Sequence, residues 1–302
     1  MEGGRLPRAT ALLFAALALL PAACRLACRE GPVPRSLATC RELSRQGIAA
    51  LERGQPQQAE TLLEEAVETC PVDPDARRHY AEALWLRGAQ SEAVAQLQEA
   101  GDLAPDDAYL RVRLAEMHLA MGQLGPAGAI ADQAVDLDPK LAEAWTVRGR
   151  VMLAAGDTRR ALADFHRALS YAPDDRDLLL QTAELHRRMG RPQRALATLQ
   201  SLADTYSPGE EPQRVLHLTG LAYMALGQHE DAVTTLSDAA VRQTPSPDLL
   251  WHLGEAELRA GRPEAAAAAA RHALSLQPQH QQSRTLLARI AATHAGESPP
   301  RR

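Results

Sequence analysis

Small and apolar residues recur along most of the chain in one fixed order. An apolar residue is followed four positions later by Gly or Ala, then at intervals of seven, five and seven residues by Gly, Ala and Ala, and then by Pro. Because Gly readily closes a helix and Pro stops one, each copy of this order predicts two antiparallel helices, the first about thirteen residues long. The seven copies have a period of 34 residues, with one copy of 37, and span 40–73, 74–107, 108–141, 142–175, 176–212, 213–246 and 247–280.

Three positions of the copy are reserved for small residues. The fifteenth is always Gly, at Gly54, Gly88, Gly122, Gly156, Gly190, Gly227 and Gly261. The twentieth is always Ala, at Ala59, Ala93, Ala127, Ala161, Ala195, Ala232 and Ala266. The eighth is Gly or Ala, and we expect it to face the twentieth where the two helices cross, because larger side chains would push the axes apart.

The small, Ala and Pro positions together resemble the tetratricopeptide repeat (TPR) family over roughly four fifths of the chain. The resemblance implies an all-α protein, an α-α superhelix (TPR solenoid) of about seven helix-turn-helix repeats with a concave face lined by the first helix of each pair. Stacking predicts the same arrangement independently, since no single pair buries its own apolar stripe. Apolar residues in 281–294 mark a helix that caps the last copy, and 295–302 is expected to be a disordered tail.

Composition and charge exclude several classes of function. Aromatic residues make up only 3% of the chain, which favours a helical core packed through small side chains. The net charge of -5 lacks the concentrated positive charge expected of a protein that binds a phosphate backbone, so nucleic acid is not an expected partner. The sequence contains no phosphate-binding Gly loop, no nucleophile elbow and no paired His motif, so no catalytic residue, metal site or cofactor is expected. His118 and His186 share the eleventh position and are expected to be packing residues rather than ligands.

The amino terminus predicts export. Arg5 and Arg8 precede an apolar run that ends in small residues, so 1–23 is interpreted as a signal peptide or lipoprotein signal; an uncleaved membrane anchor is the alternative. Cys24 follows Leu-Pro-Ala-Ala, which resembles a lipoprotein cleavage box, so it is either a lipidation site or an ordinary residue near the cleavage point. Residues 24–39 are expected to be a linker, and the remainder would lie in the periplasm, in the cell envelope or outside the cell.

Cys40 and Cys70 are the first and thirty-first residues of the first copy. Antiparallel pairing brings the start of one helix near the end of the next, so the two thiols are candidates for a disulfide in an exported protein. The sequence does not give the separation that decides whether the bond forms.

The fifth copy carries three extra residues near the segment 206–212, which combines Pro, Gly and acidic side chains. Two interpretations stay open: a hinge between the fifth and sixth copies, or a loop insertion with no effect on function.

The concave face is the expected partner-binding site. It should collect the second, fifth, sixth, ninth, twelfth and thirteenth residues of each first helix: Arg78, Glu82, Trp85, Arg113, Glu116, Arg150, Gln181, Glu184, Arg188, His217, Leu221, Met224, Trp251, His252 and Glu255. Trp85 and Trp251 are either anchors for a partner or covers for neighbouring helices. The recurring carboxylates Glu82, Glu116, Glu184 and Glu255 are interpreted as a solvated helix face rather than acid–base catalysts.

The function predicted from these features is a non-catalytic, exported scaffold or adaptor that binds a protein or peptide in its groove. The alternative is an accessory subunit that docks substrate for, or regulates, an envelope enzyme on another chain. A transferase with its own active site is a third alternative, but the residues after the last copy leave no room for a catalytic domain. Nucleic acid is not an expected partner, and a membrane would be reached only through a lipid or an amino-terminal anchor.

Overall fold

A computed structural model describes residues 35–296, which form fifteen helices and no strands. The first helices of the seven repeats are α1 (Arg35–Glu52), α3 (Pro74–Arg87), α5 (Ala108–Ala120), α7 (Ala142–Ala154), α9 (Arg176–Arg188), α11 (Gln213–Ala225) and α13 (Pro247–Arg259). The second helices are α2 (Pro56–Thr69), α4 (Gln90–Leu103), α6 (Leu124–Leu137), α8 (Thr158–Leu169), α10 (Pro192–Ala203), α12 (His229–Arg242) and α14 (Pro263–Leu276), and α15 (Gln281–Gly296) follows the last pair. The prediction of an all-α array of seven helix pairs with a terminal helix is confirmed.

The chain divides into two compact units at Pro105 and Asp106. The first holds two helix pairs, and the second holds five pairs and α15. Within each unit the two helices of a pair contact each other and the second helix contacts the next pair. First helices of successive pairs also approach each other, α1 with α3 and α5 with α7, whereas their second helices diverge. Each unit therefore has an inner side made of first helices, called the first-helix face below.

The ends of the helices follow from residue chemistry. All seven Gly residues at the fifteenth position have φ between 65° and 91°, the left-handed region that side chains with a Cβ rarely adopt. At the other end, Asp73, Asp107 and Asp175 accept hydrogen bonds from backbone N–H groups in the first turn of α3, α5 and α9. The turn within each pair is thus set by Gly, and Asp caps the start of these three helices and of α8.

The crossing of the paired helices differs in one respect from the prediction. A Cβ placed on Gly149 would lie 2.6 Å from two ring carbons of Phe165 and 3.2 Å from the carbonyl oxygen of Ala161. A Cβ on Gly47 would lie 2.5 Å from the Leu63 side chain. The small eighth residue therefore faces the large twenty-fourth residue, and Ala at the twentieth position contributes mainly its backbone.

Two boundaries differ from those predicted. Helix α1 begins at Arg35, so residues 35–39 are helical and the predicted linker extends too far toward the carboxyl end. The terminal helix continues to Gly296, two residues beyond the predicted cap. The proposed signal, Cys24 and residues 297–302 lie outside the described residues.

The insertion in the fifth copy is attached to helices on both sides. The guanidinium of Arg176 lies 4.1 Å from the ring centroid of Tyr206 and donates to the backbone carbonyl of Thr205. Arg242 donates to the carbonyl of Gly209 and pairs with Glu211 at 3.1 Å. These contacts stabilise one conformation of the loop and favour the interpretation as an insertion over a hinge.

No helix within residues 35–296 combines the length and apolar character that crossing a bilayer would need.

Acidification is expected to destabilise the fold through His186, which is 1% exposed. Burial, and then the charge of His166, lower the pKa of His186 from 6.5 to about 4. Below pH 6.5 the unfolded chain binds a proton that the folded core does not, so stability fully present above pH 6.5 is lost as the pH falls toward 4. From this one group the loss at pH 5 is about 2 kcal/mol, measurable by urea unfolding at pH 7 and pH 5.

The matched variant for this measurement is His186→Leu. Leu84 holds the same repeat position in the second copy, and the Nδ1 atom of His186 is buried without a hydrogen-bond partner, so leucine removes an unsatisfied group. We expect the variant to lose less stability than the wild type on acidification. Equal losses of stability in the two proteins would show that protonation of His186 is not the cause.

Candidate functional site

Three predicted groove residues lie on α3 in the first unit. The Arg78 guanidinium contacts Glu82 at 3.5 Å and Asp75 at 3.3 Å, both on the same helix. Trp85 is half-buried one turn further on. The three residues are four and three positions apart, the spacing of residues on one face of a helix. The Glu82 carboxylate is paired with Arg78 of the same helix.

In the second unit, side chains of three consecutive first helices connect across the first-helix face. Glu116 on α5 pairs with Arg113 of its own helix and lies 3.8 Å from Arg150 on α7. Arg150 in turn donates from Nε to the side-chain carbonyl of Gln181 on α9 at 3.2 Å. Four predicted groove residues are therefore brought together, and their charges are largely matched with one another.

A cavity of about 260 Å³ follows on the same face, between α7, α9 and α11. It is lined by Leu153, Asp177, Leu180, Gln181, Glu184, Leu185, Arg188 and Arg214. Glu184 is held by a bidentate pair with Arg187 at 2.7 and 2.8 Å, and this hydrogen bonding lowers its pKa. Across residues 36–292, neither Arg188 nor Arg214 makes a hydrogen bond or ion pair, and the charge of each also helps to lower the pKa of Glu184. Two guanidiniums without a bonded partner therefore border the cavity.

The carboxyl-terminal part of the face is aromatic and apolar. His217 on α11 and His252 on α13 lie 3.0 Å apart between Nε2 and Nδ1, and the Trp251 ring lies 4.4 Å from that of His252. Burial lowers the pKa of both histidines, that of His252 to about 4. This part of the face therefore holds two neutral imidazoles beside a tryptophan ring. Leu221 and Met224, further along α11, are half-buried.

The predicted solvated position of Glu255 is wrong. Glu255 is 6% exposed, and its carboxylate pairs with Arg289 of α15 and, at 3.9 Å, with Arg259. The ion pair replaces water because α15 covers this end of the face. Trp251 packs against the cluster formed by α14 and α15, so of its two interpretations the structure supports a cover for neighbouring helices.

Sequence reasoning missed part of the cavity. Arg214 occupies the second position of its copy and Leu153 the twelfth of another, both among the positions expected to face inward, yet neither was selected. Leu180 at a fifth position was also missed. The repeat register already contained the signal for all three.

The two described cysteines are free thiols in one apolar cluster with Ala66 and Ala76. The thiol of Cys40 donates to the Asp73 carboxylate at 3.8 Å, and that of Cys70 to the Ser36 carbonyl at 3.8 Å. Burial, and then contact with the Cys70 thiol, raise the pKa of Cys40 to about 12.

Oxidised glutathione is expected to join Cys40 to Cys70. The more exposed Cys70 exchanges with the glutathione disulfide, and Cys40 then displaces the second glutathione, so the protein loses two hydrogen atoms and two reduced glutathiones are released. Closing the intervening loop should stabilise the first unit by about 3 kcal/mol. Mass spectrometry and thermal melting check both effects; a Cys70→Ser variant that gained equally on oxidation would contradict this pairing.

Among the described residues, no group of three or more His, Cys, Asp or Glu side chains is placed to hold a metal ion.

Sequence comparison identifies the repeats. Models described as tetratricopeptide repeat match residues 44–108 and 217–283 and, with a second model, 152–216, together more than half of the chain. Comparison with curated proteins finds no significant match.

Solved structures share the arrangement of helices. YrrB, a TPR protein with an unusual peptide-binding site, is 20% identical over 62% of this chain and 95% of YrrB, with a TM-score of 0.57. PilF of Pseudomonas aeruginosa is 16% identical over 74% of this chain and 98% of its own, with a TM-score of 0.62. A TPR protein of Parabacteroides merdae is 17% identical over 84% and 99%, with a TM-score of 0.55. At these identities the likeness is one of fold alone.

Proposed function

The chain belongs to the tetratricopeptide repeat family, and from that premise we propose that it is a non-catalytic scaffold whose second unit binds an extended segment of a partner protein on its first-helix face. The observation that carries the proposal is the cavity between α7, α9 and α11. It combines an apolar floor with two unpaired guanidiniums, the chemistry that holds an aliphatic side chain beside a carboxylate. The peptide-binding site of YrrB lends general support, because the two chains share a fold.

The charges favour an acidic segment over a basic one. Glu184 is matched by Arg187, so the charges left without a bonded partner around the cavity are Arg188, Arg214 and the exposed Asp177. Asp177 lies in the first turn of α9 and Arg188 at its last residue, about 16 Å apart along the helix. Arg214 holds the second position of its copy, as Asp177 does, so the two guanidiniums border the cavity from opposite ends of their helices and attract acidic side chains along its length.

The experiment is a fluorescence-anisotropy titration of the full chain with a labelled peptide in which leucine alternates with glutamate. We expect the double substitution Arg188→Ala with Arg214→Ala to weaken binding at least about tenfold, since charge-assisted hydrogen bonds contribute roughly 1.5–3 kcal/mol each. Raising the salt concentration should weaken wild-type binding in the same direction.

The matched control is Arg159→Ala, an exposed arginine on the second helix α8. It removes the same side chain and one positive charge away from the first-helix face. Equal weakening by the control, or unchanged affinity in the double variant, would overturn the proposed site. Binding of one stoichiometric enzyme instead of a defined segment would favour the accessory-subunit alternative.

We also propose that the protein acts outside the cytoplasm. The proposal is supported by the order of basic, apolar and small residues in 1–23. Mass spectrometry of the mature protein tests it: a chain beginning near residue 24 supports export, added lipid mass on Cys24 supports anchoring, and an intact amino terminus in the cytoplasmic fraction contradicts both.

A further inference from the structure

A second cleft of about 360 Å³ lies between the second helices α10 and α12, over α11. Its walls include Leu199, Val215 and Tyr223, and its rim includes Gln200, Asp238 and Glu211. The volume lies at the lower end of the range for ligand sites. None of these side chains is among those that form the first-helix face.

The inserted loop forms one side of this cleft and is fixed in place. Gly209 and Glu211 line the cleft, and both are held by Arg242 at the end of α12. Gln213 adds hydrogen bonds to the carbonyls of Ala239 and Gln243, each at 3.0 Å. The cleft is therefore preformed, so a ligand would not have to order the loop on binding.

The corresponding cleft two repeats earlier, between α6 and α8, contains an internal cation. Arg148 of α7 pairs with both carboxylate oxygens of Asp164 at 2.7 and 2.9 Å and with Asp132 at 3.3 Å. Its guanidinium also lies 4.6 Å from the Trp145 ring centroid. One arginine side chain thus bridges two second helices and satisfies the carboxylates on each.

In the cleft between α10 and α12, neutral residues hold the three repeat positions that Arg148, Asp132 and Asp164 hold in the other cleft. Thr219 stands at the seventh position where α7 has Arg148, and its hydroxyl donates to the Val215 carbonyl. Gln200 and Thr235 stand in place of the two aspartates. The internal cation is missing here, and the open space is about 360 Å³, compared with about 310 Å³ beside Arg148 between α6 and α8.

The rim of this cleft carries a negative charge that would attract a cation. Asp238 occupies the twenty-sixth position, where α8 carries Arg167, so the charge is reversed between the two clefts. Among the described residues, the Asp238 carboxylate has no hydrogen-bond or ion-pair partner, because Arg242, one turn away, is bonded to the loop. Val241 on the same helix is 84% exposed and adds apolar surface next to it.

We propose that this cleft binds an arginine side chain of a partner protein, which takes the place that Arg148 fills internally between α6 and α8. The guanidinium would pair with Asp238, donate to the side-chain carbonyl of Gln200, and lie against the Tyr223 ring. Aliphatic neighbours of the arginine would contact Leu199 and Val241. This site is separate from the first-helix face and does not depend on the function proposed above.

The test is an amide NMR titration of the full chain with the peptide acetyl-Ala-Leu-Arg-Leu-Ala-amide. The same peptide with citrulline in place of arginine is the matched ligand, because citrulline keeps the shape and loses the charge. We expect saturable shifts confined to 199–203, 209–211, 215–223 and 235–242, and an affinity about tenfold lower for the citrulline peptide.

Two variants locate the binding. Asp238→Asn changes an exposed side chain and should weaken binding about tenfold. Thr219→Arg supplies the internal cation of the other cleft and should abolish the shifts, whereas Thr234→Arg, which adds the same charge at an exposed position of α12 outside the cleft, should keep them.

Equal binding of the citrulline peptide, full binding by Asp238→Asn, or shifts confined to the first-helix face would overturn the proposal. The Asp238→Asn result decides the matter even if Thr219→Arg fails to fold. The variant with Arg188→Ala and Arg214→Ala should bind the arginine peptide as the wild type does, so failure at one site is distinguishable from failure at the other.

Discussion

Replacing Gly149 with alanine is expected to lower the free energy of unfolding by about 3 kcal/mol, although alanine normally stabilises a helix relative to glycine. The new Cβ would lie 2.6 Å from ring carbons of Phe165, a fully buried side chain, and 3.2 Å from the Ala161 carbonyl. Because backbone bounds the other side, α7 and α8 must separate. Urea unfolding measures the change.

The matched control is the same substitution at Gly128, a helical position of α6 where the new Cβ would meet only the Val151 side chain, at an ordinary contact distance of 3.6 Å. It should stabilise the protein by about 0.5–1 kcal/mol. The double change Gly149→Ala with Phe165→Ala reproduces the Ala115–Ala131 combination of the third copy and should relieve the clash at the cost of a lost ring. If Gly149→Ala and Gly128→Ala changed the free energy of unfolding in the same direction, the assigned crossing would be incorrect.

Replacing Arg148 with alanine is expected to destabilise the second unit by about 3 kcal/mol. The loss of the guanidinium leaves the Asp164 carboxylate, whose side chain is 9% exposed, without its two charged hydrogen bonds. The hydrogen bonds to Asp164 raise the pKa of Arg148, so the arginine is charged at neutral pH. Thermal and urea unfolding should give the same sign.

The control and the double variant separate charge from packing. Arg159→Ala, an exposed site on α8, should change stability by less than about 0.5 kcal/mol. Adding Asp164→Ala to Arg148→Ala should restore part of the loss, because no buried charge is then unpaired. Were the double variant less stable than Arg148→Ala alone, the buried carboxylate would not be the cause.

The fold was predictable because each repeat position has one local cause. Gly at the fifteenth position allows the left-handed turn, and the period places every helix start and end within a few residues. The partner of the eighth position was not predictable, since spacing alone does not say whether Gly149 meets Ala161 or Phe165. The start of α1 was missed because residues 35–39 precede the first copy of the pattern.

The candidate site was predictable in position but not in chemistry. The register placed Arg150, Gln181 and Glu184 on one face. It does not say which charges pair, because pairing depends on how each side chain extends toward the next helix. Glu255 illustrates the limit: its partner Arg289 belongs to the terminal helix, outside the repeat that the pattern describes. The cleft between α10 and α12 depends on the inserted loop, which the sequence marks only as a change in length.

The terminal helix α15 also sets how far the array can grow. Its Leu286 packs on Gly254, 2.8 Å from a Cβ placed there, compared with 2.5 Å for Leu63 at Gly47 and 2.6 Å for Phe165 at Gly149. The exposed residues of α15 include the polar side chains of Gln282, Arg284 and Thr285. Another helix pair stacked here, including the first pair of another molecule, would have to remove water from these polar side chains, so end-to-end stacking on α15 is disfavoured.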